Sequence, residues 1–231
     1  MSELLPLFLN LTGRAVVLVG GGPVATAKLR QLVAAGARVS IVAPDVTNEI
    51  ESVVARPAPN PDVVLARRPF EPADLDEAWL VVAAATPEVN RQVADVAETR
   101  RIFVNAVDDP ANATAFLSGV VRRDGVTLAI STSGVAPALA ALLREGLDAL
   151  LPRDLANWMW QARATRAAWR RDGVPMEARK PQLLQALNAL YDETRASADE
   201  AVNRAVPVSV IAAVDRGPRV PWLSGPEDSW L

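Results

Sequence analysis

The sequence predicts an α/β chain with a doubly wound parallel sheet, followed by a β-hairpin region and a small helical domain. Three observations predict it. Short β-branched apolar runs alternate with amphipathic stretches between residues 14 and 107. A glycine cluster, Gly20-Gly21-Gly22, sits where the first apolar run gives way to the first helical stretch. Beyond residue 113 the rhythm changes to two strands in succession and then to helical stretches alone. Alternating strands and helices build a parallel sheet with right-handed crossovers. Residues 1–112 are therefore expected to form the sheet domain, 113–149 a dimerisation region, 150–205 a helical domain and 206–231 a proline-rich tail.

Each element has a local reason. Residues 4–9 are apolar and suit a segment that pairs or packs at a domain edge, and Thr12-Gly13 turns the chain into residues 14–19. That run is β-branched and apolar, as a strand buried on both faces requires. Ala25, Leu29, Leu32 and Val33 share one helical face, and Gly36 stops the helix before a second strand at 38–42. Residues 48–55 suit a short helix. Pro57, Pro59 and Pro61 make their stretch a loop. A third strand is expected at 63–65, a helical turn at 72–77 and a fully apolar fourth strand at 79–85. Pro87 opens a helix to Arg100 that buries Val89, Val93, Val96 and Ala97, and a fifth strand follows at 102–107.

Residues 114–121 and 126–131 read as two strands joined through Asp124-Gly125, a strong hairpin signal. A lone hairpin is marginal in water, so it needs a helix or a second subunit to cover it. Helices are expected at 137–150, 155–171 and 181–195, with a short one at 199–205 and a strand within the tail at 208–214.

Gly20, Gly22 and Ala25 fit the G-x-G-x-x-[GA] pattern in register with strand, helix and strand, which makes the sheet Rossmann-like. Gly20 permits the tight turn, Gly22 lets a pyrophosphate approach the backbone, and Ala25 allows close helix–strand packing. The phosphates of a dinucleotide then sit on free N–H groups at the helix N-terminus. The second strand runs into Ala43-Pro44-Asp45, where a ribose-binding acid is expected, and no arginine there awaits a 2′-phosphate. This favours NAD over NADP.

Composition narrows the chemistry. Half of the 231 residues are hydrophobic, so a substantial core is available. There is no cysteine and no histidine, which removes disulfides, thiolate or imidazole metal sites and the commonest general base. No resident metal is expected. Proton transfer falls to a carboxylate, Tyr191, one of two lysines (Lys28 and Lys180) or water. A net charge of −3 gives no case for nucleic acid, and no apolar run reaches membrane-spanning length, so a cytoplasmic protein is expected.

Ligands of open α/β sheets bind beyond the carboxyl ends of the strands. Asn105, Asp108 and Asp109 end the fifth strand there, as a base beside a cofactor or simply as a turn before Pro110. Ser131-Thr132-Ser133-Gly134 precedes the helix opened by Pro137, as a site for a carboxylate or as its N-cap.

The chain resembles the precorrin-2 dehydrogenase/sirohydrochlorin ferrochelatase family, the amino-terminal module of siroheme synthase. The resemblance rests on Leu5-Pro6-Leu7-Phe8, the run from Leu18 to Ala25, Ala35-Gly36-Ala37, the run from Arg100 to Asp108, the run from Ala129 to Gly134, and Leu142-Leu143-Arg144-Glu145. It extends over about residues 4 to 165. It implies oxidation of precorrin-2 to sirohydrochlorin with NAD as hydride acceptor, and in some members insertion of ferrous iron to give siroheme. It implies an intertwined homodimer joined through the hairpin region. The family's essential aspartate falls on Asp108, its dinucleotide contacts on Gly22, Pro23, Val24, Pro44 and Asp45, and its serine-rich tetrapyrrole loop on Ser131, Thr132 and Ser133.

The loop departs from the family's common double glycine. Asp215-Arg216-Gly217-Pro218 is not a glycine-rich opening, so no methyltransferase domain is expected. A tetrapyrrole carries many carboxylates; Arg122, Arg123 and Arg144, near hairpin and loop, are expected either to receive them or to be solvated surface charges. Three functions follow in order: a dehydrogenase, a dehydrogenase that also chelates iron, and a non-catalytic NAD-sensing module.

Overall fold

Five short, mostly apolar runs assemble as one parallel sheet, with the central strands β1 and β4 apolar on both faces. The computed structural model describes residues 4–55 and 63–205, with side chains described as far as Tyr191. In chain order, β1 (Ala15–Val19), α1 (Pro23–Ala34), β2 (Arg38–Val42), α2 (Asn48–Val54), β3 (Val63–Ala66), β4 (Leu80–Ala83), α3 (Pro87–Arg100) and β5 (Phe103–Ala106) form the sheet domain. The strand order is β3-β2-β1-β4-β5, all parallel. The order reverses between β1 and β4, which opens the crevice where such sheets bind ligands.

Alternation along the strands splits the core into two layers. Val16, Leu18, Val39, Ile41, Leu80 and Val82 face Ala25, Leu29 and Leu32 of α1 and Ile50 of α2. Val17, Val19, Val42, Val81, Ala83 and Val104 face Val93, Ala94 and Ala97 of α3. Each fully buried Val or Leu contributes about 1.5–3 kcal/mol, so the two layers supply most of the driving force for this domain. The caps hold the helices in place. Thr47 accepts from the Ile50 N–H and Thr86 from the Val89 N–H, whereas α1 begins at Gly22, which has no side chain to offer.

The hairpin is β6 (Gly119–Arg123) with β7 (Val126–Ile130), antiparallel, and α4 (Pro137–Leu150) packs on it. Asp124 and Gly125 both take positive φ, +50° and +85°, as a two-residue type I′ turn requires. One face of α4 meets the hairpin at Ala140 while Leu139, Leu142, Leu143, Leu147 and Leu150 are exposed. So are Leu5, Leu7 and Phe8 of the N-terminal segment.

The chain divides into two units between Arg153 and Asp154. The second contains α5 (Leu155–Arg171) and α6 (Met176–Ala205), which pack on each other. There Trp158 Nε1 donates to the Tyr191 hydroxyl at 2.8 Å, which donates to Asp154 at 3.1 Å, and Trp169 Nε1 donates to Gln182 at 2.6 Å.

Three expectations differ from the structure. Residues 114–118 are not strand; they lie along the β5 edge, where the N–H groups of Thr114 and Ala115 both bond to the Val104 carbonyl at 2.9 Å. An apolar run beside a finished edge is held there rather than extending the hairpin. The separate helices at 181–195 and 199–205 are one helix, α6, and Pro181 lies inside it. Pro181 is close enough to the helix start that only one early bond is lost, and Arg179 ties that turn by donating to the Val174 carbonyl at 3.0 and 2.8 Å. The strands are also slightly shorter than the apolar runs that announce them. The loop at 56–61 and the strand at 208–214 lie outside the described residues.

Gly20 has φ +121°, and a Cβ there would stand 2.2 Å from the Ala84 carbonyl oxygen. Replacement Gly20→Ala is therefore expected to cost at least about 2 kcal/mol in urea unfolding, through backbone strain plus displacement of the β4 end. Gly22→Ala, whose Cβ would meet open space, is expected to stay within about 1 kcal/mol of the parent protein in the same measurement.

Candidate functional site

The site is built from the ends of β1, β2 and β5 and the loop after β7. At the β1 end, the Gly20 N–H bonds to the Val42 carbonyl at 3.0 Å, and the Thr47 N–H bonds to the Gly21 carbonyl at 3.0 Å. A Cβ on Gly21 would stand 1.9 Å from the Asp45 carbonyl oxygen. The turn is thus pressed between the ends of β4 and β2, and only Gly22 looks onto free space. Below it, Thr26 donates its hydroxyl hydrogen bond to the Gly22 carbonyl at 3.0 Å and shares another with Thr47 at 2.8 Å.

These contacts leave α1 with an N-terminus suited to a diphosphate. Pro23 at the first position has no N–H to satisfy, no acid lies in the first turn, and no side chain caps the helix. The remaining N–H groups, at Val24 and Ala25, are orphan donors at the positive end of the helix dipole. Open space at Gly22 beside uncapped donors is the shape that a dinucleotide pyrophosphate fills. Pro44 and Asp45 are exposed beside the same turn, where the adenine-side ribose would lie.

At the β5 end, Asp108 is exposed and has φ +56°. A non-glycine residue in the left-handed region costs energy that persists where surroundings impose it, often at functional sites. Here the Val107 N–H is anchored to the Ala83 carbonyl at 2.9 Å and Pro110 follows two residues on, so the chain must turn at Asp108. Asp109 behaves differently: its carboxylate accepts from Asn112 Nδ2 at 2.7 Å, within the turn. Asn105 is buried, its Nδ2 donates to the Ala115 carbonyl at 2.9 Å, and its Oδ1 has no partner.

The serine-rich loop closes on this strand end. A Cβ on Gly134 would approach Pro110 Cγ to 3.0 Å, so the loop leans on the residue that follows Asp108-Asp109. The Ser131 hydroxyl accepts from the Ser133 N–H at 3.1 Å and the Thr132 hydroxyl from the Ala136 N–H at 3.3 Å, while Ser133 takes φ +54°. Thr132 thereby shapes the turn into α4, whose first residue is again a proline and whose N-cap, Ala136, offers no side chain.

The arginines gather elsewhere. Arg123 pairs with Asp148 and also donates to the Leu151 carbonyl at 3.1 Å, so its fork closes the C-terminal end of α4. Arg144 pairs with Glu145 at 3.1 Å. Both line an open cleft of about 500 Å³ with Asp148, Leu151 and Arg153, and none of Asn105, Asp108, Ser131, Thr132 and Ser133 lines it. Arg122 is exposed on the hairpin.

The residue the sequence reading did not select is Lys28 on α1. It is half-buried; burial lowers its pKa from the ordinary lysine value, and the Asp108 carboxylate acts to raise it. Its signal was present: it is one of only two lysines, three residues on from Ala25. Among the described residues, no group of three or more acidic side chains could hold a metal ion, and no helix is long and apolar enough to cross a membrane.

Comparison with known proteins agrees with this geometry. Residues 7–119 match a family model described as NAD(P)-binding. A siroheme synthase of Salmonella paratyphi A is 36% identical over 231 residues, covering 98% of this chain and 50% of that protein. Siroheme synthase 3 of Aeromonas hydrophila is 42% identical over 154 residues, 66% of this chain and 32% of that one. The chain therefore spans about a third to a half of the length of these curated relatives. Among solved structures, SirC, described as a precorrin-2 dehydrogenase, shares the fold, with a TM-score of 0.59 and 24% identity over 79% of this chain and 88% of that one. The turn at Gly20–Ala25 lies within the stretch matched by the NAD(P)-binding model.

Replacing Gly22 with Asp would put a carboxylate among the orphan donors, in the place of the pyrophosphate. The Gly22→Asp protein is expected to keep its thermal unfolding temperature and to lose at least about tenfold in NAD affinity by calorimetric titration. Unchanged affinity would mean that the dinucleotide lies elsewhere.

Proposed function

The chain belongs to the precorrin-2 dehydrogenase/sirohydrochlorin ferrochelatase family, the amino-terminal module of siroheme synthase, and on that premise we propose that it oxidises precorrin-2 to sirohydrochlorin with NAD. The observation that carries the reading is Asp108. It is an exposed carboxylate held in the left-handed conformation at the β5 end, on the crevice that the NAD turn opens. Its neighbour Asp109, one residue on, is engaged within the turn and serves as the internal control.

The oxidation removes a hydride and a proton from the tetrapyrrole. NAD, when bound, accepts the hydride. The chain must supply an acceptor for the proton, and with no histidine or cysteine in the sequence Asp108 is the group at the crevice able to do so. Asn105 and the loop of Ser131, Thr132 and Ser133 are proposed to hold the substrate beside it. Asn105 has an unpartnered buried oxygen, and the loop leans on Pro110. For the substrate carboxylates, Arg122 is the arginine whose fork is least engaged. Arg123 and Arg144 are proposed in a weaker capacity, since each already holds an acid.

The reading includes a homodimer assembled through residues 113–149, in the cytoplasm. Its support is the exposed leucine face of α4 together with exposed Leu5, Leu7 and Phe8, apolar side chains that a partner subunit would cover. Ferrous iron enters the reading only as a second substrate: if sirohydrochlorin is metallated here, its pyrrole protons would pass to the same carboxylate.

Asp108→Asn is the decisive variant, because asparagine tolerates the left-handed conformation and preserves shape while removing the charge. It is expected to bind NAD normally and to lose at least about 100-fold in the rate of precorrin-2 oxidation, whereas Asp109→Asn loses much less. Near-parental turnover in Asp108→Asn would remove the assigned role. The same two proteins, given sirohydrochlorin and ferrous iron without oxygen, report whether chelation shares the group. Light scattering at micromolar concentration is expected to give about twice the 24.6 kDa chain mass; a monomer alone would remove the dimer.

A further inference from the structure

Two hydroxyls beneath the glycine turn have no role in the assignments above. Thr26 is buried in α1 together with Ala25, Leu29 and Leu32, and only 5% of it is exposed. A valine would fill the same volume, so the hydroxyl needs a reason of its own. It donates to the Gly22 carbonyl at 3.0 Å, and the Thr26 N–H donates to the same oxygen at 3.0 Å. A hydroxyl has one hydrogen, so the 2.8 Å contact between the Thr26 and Thr47 hydroxyls is donated by Thr47. The Thr47 oxygen in turn accepts from the Ile50 N–H at 3.3 Å, at the start of α2. The bonds therefore run one way, from the Ile50 N–H through Thr47 and Thr26 to the Gly22 carbonyl. Bonds chained in one direction polarise and strengthen one another.

The peptide at the end of this relay has few other restraints. It joins Gly22 to Pro23, so it carries no N–H that could anchor it from its other side. Gly22 has no side chain to wedge it, and a Cβ there would meet open space. Its orientation depends on what its carbonyl bonds to. The preceding peptide is held in a related way: the Gly21 carbonyl accepts from the Thr47 N–H at 3.0 Å. Thr47 thus fixes both carbonyls, one through its backbone and one through Thr26. Both oxygens are aimed at donors of the protein rather than at the open space by Gly22. A carbonyl swung outward would set partial negative charge against an anion there, where the Val24 and Ala25 N–H groups present positive charge.

We propose that Thr26 and Thr47 are positioning residues of the dinucleotide site, whose relay keeps the Gly21 and Gly22 carbonyls turned inward so that N–H donors face the pyrophosphate. The inference rests on the reading that the glycine turn receives NAD, and it assigns part of that affinity to two residues outside the glycine motif. The relay also joins two parts of the site. Thr47 follows Asp45 by two residues, and Gly21 is pressed against the Asp45 carbonyl. The pyrophosphate and ribose positions are therefore built as one unit before the ligand arrives, which lowers the ordering cost of binding.

The test is calorimetric titration of the full-length protein with NAD, well below the unfolding temperature of each variant. Thr26→Val keeps the shape and removes the hydroxyl; it is expected to lose at least about fivefold in NAD affinity, the effect of one hydrogen bond, and Thr26→Ser to stay within about twofold of the parent. Thr47→Val removes the other end of the relay and is expected to lose a similar factor, with Thr47→Ser again close to the parent. Because the two hydroxyls act through one carbonyl, the double variant Thr26→Val/Thr47→Val is expected to lose no more than about the larger single loss. Two independent packing defects would instead multiply, and that result overturns the proposal. Parental NAD affinity in Thr26→Val also overturns it, while leaving the NAD reading intact if Gly22→Asp has lost affinity. Parental affinity in Gly22→Asp removes the reading and the proposal together.

Discussion

Everything at the crevice depends on how closely the turn after β1 is pressed against the ends of its two neighbouring strands. Side chains at Gly20 and Gly21 would run into the carbonyls of Ala84 and Asp45, at 2.2 and 1.9 Å. That pressure does three things at once. It sets the β1 end level with the ends of β4 and β2, so α1 starts at the crevice floor. It brings Asp45 beside the turn. It also leaves Gly22 as the one glycine of the three whose missing side chain creates room for a ligand rather than for the protein itself. Of these three consecutive glycines, two are required by packing, and the third leaves open space at the start of α1.

The same division of labour appears at the helix starts. Thr47 and Thr86 cap α2 and α3 with their hydroxyls, which satisfies donors that would otherwise be wasted. The two helices that begin at the proposed ligand sites, α1 and α4, both begin with proline and have no side-chain cap. A capped start is a finished structure. An uncapped one at the edge of a crevice keeps its donors for something else, at a cost of about 1 kcal/mol in helix stability that a bound anion can return. For α1 the proposed anion is the NAD pyrophosphate. For α4 the neighbouring hydroxyls of Ser131 and Thr132 already shape the turn, so its N-terminus is partly closed by the loop itself.

Much of the fold was legible because its signals are local. β-branched runs, the glycine turn, proline at the first position of α1, α3 and α4, and Asp124-Gly125 each act within a few residues. The parts that were not legible depend on partners distant in sequence. Residues 114–118 have the apolar character of a strand, and only the presence of the β5 edge decides that they lie along it instead. Pro181 marks a helix start on local grounds, whereas the helix begins at Met176, with Arg179 bonded back to the Val174 carbonyl. The site shows the same split. Gly20, Gly22 and Asp108 are found from motif and strand position. Lys28 belongs to no motif, and the influence of the Asp108 carboxylate on it arises only once the chain is folded. Proximity in sequence to the hairpin is also blind to the partners Arg123 finds at the end of α4, the Asp148 carboxylate and the Leu151 carbonyl.

In this chain without histidine or cysteine the proposed proton acceptor is a carboxylate, and a carboxylate has two weaknesses for that task. It is a weak base at neutral pH, and on an exposed strand end it is free to rotate into water. The structure addresses the second weakness directly. The left-handed turn fixes the backbone of Asp108, Asp109 and Asn112 fasten the segment beyond it, and Pro110 is wedged against Gly134. What these contacts fix is the backbone that carries Asp108, while its side chain stands exposed at the strand end. The role proposed for it therefore asks the bound substrate to set the last geometry of the transfer, with the proton delivered at hydrogen-bond distance, since positioning alone can supply several kcal/mol of a barrier.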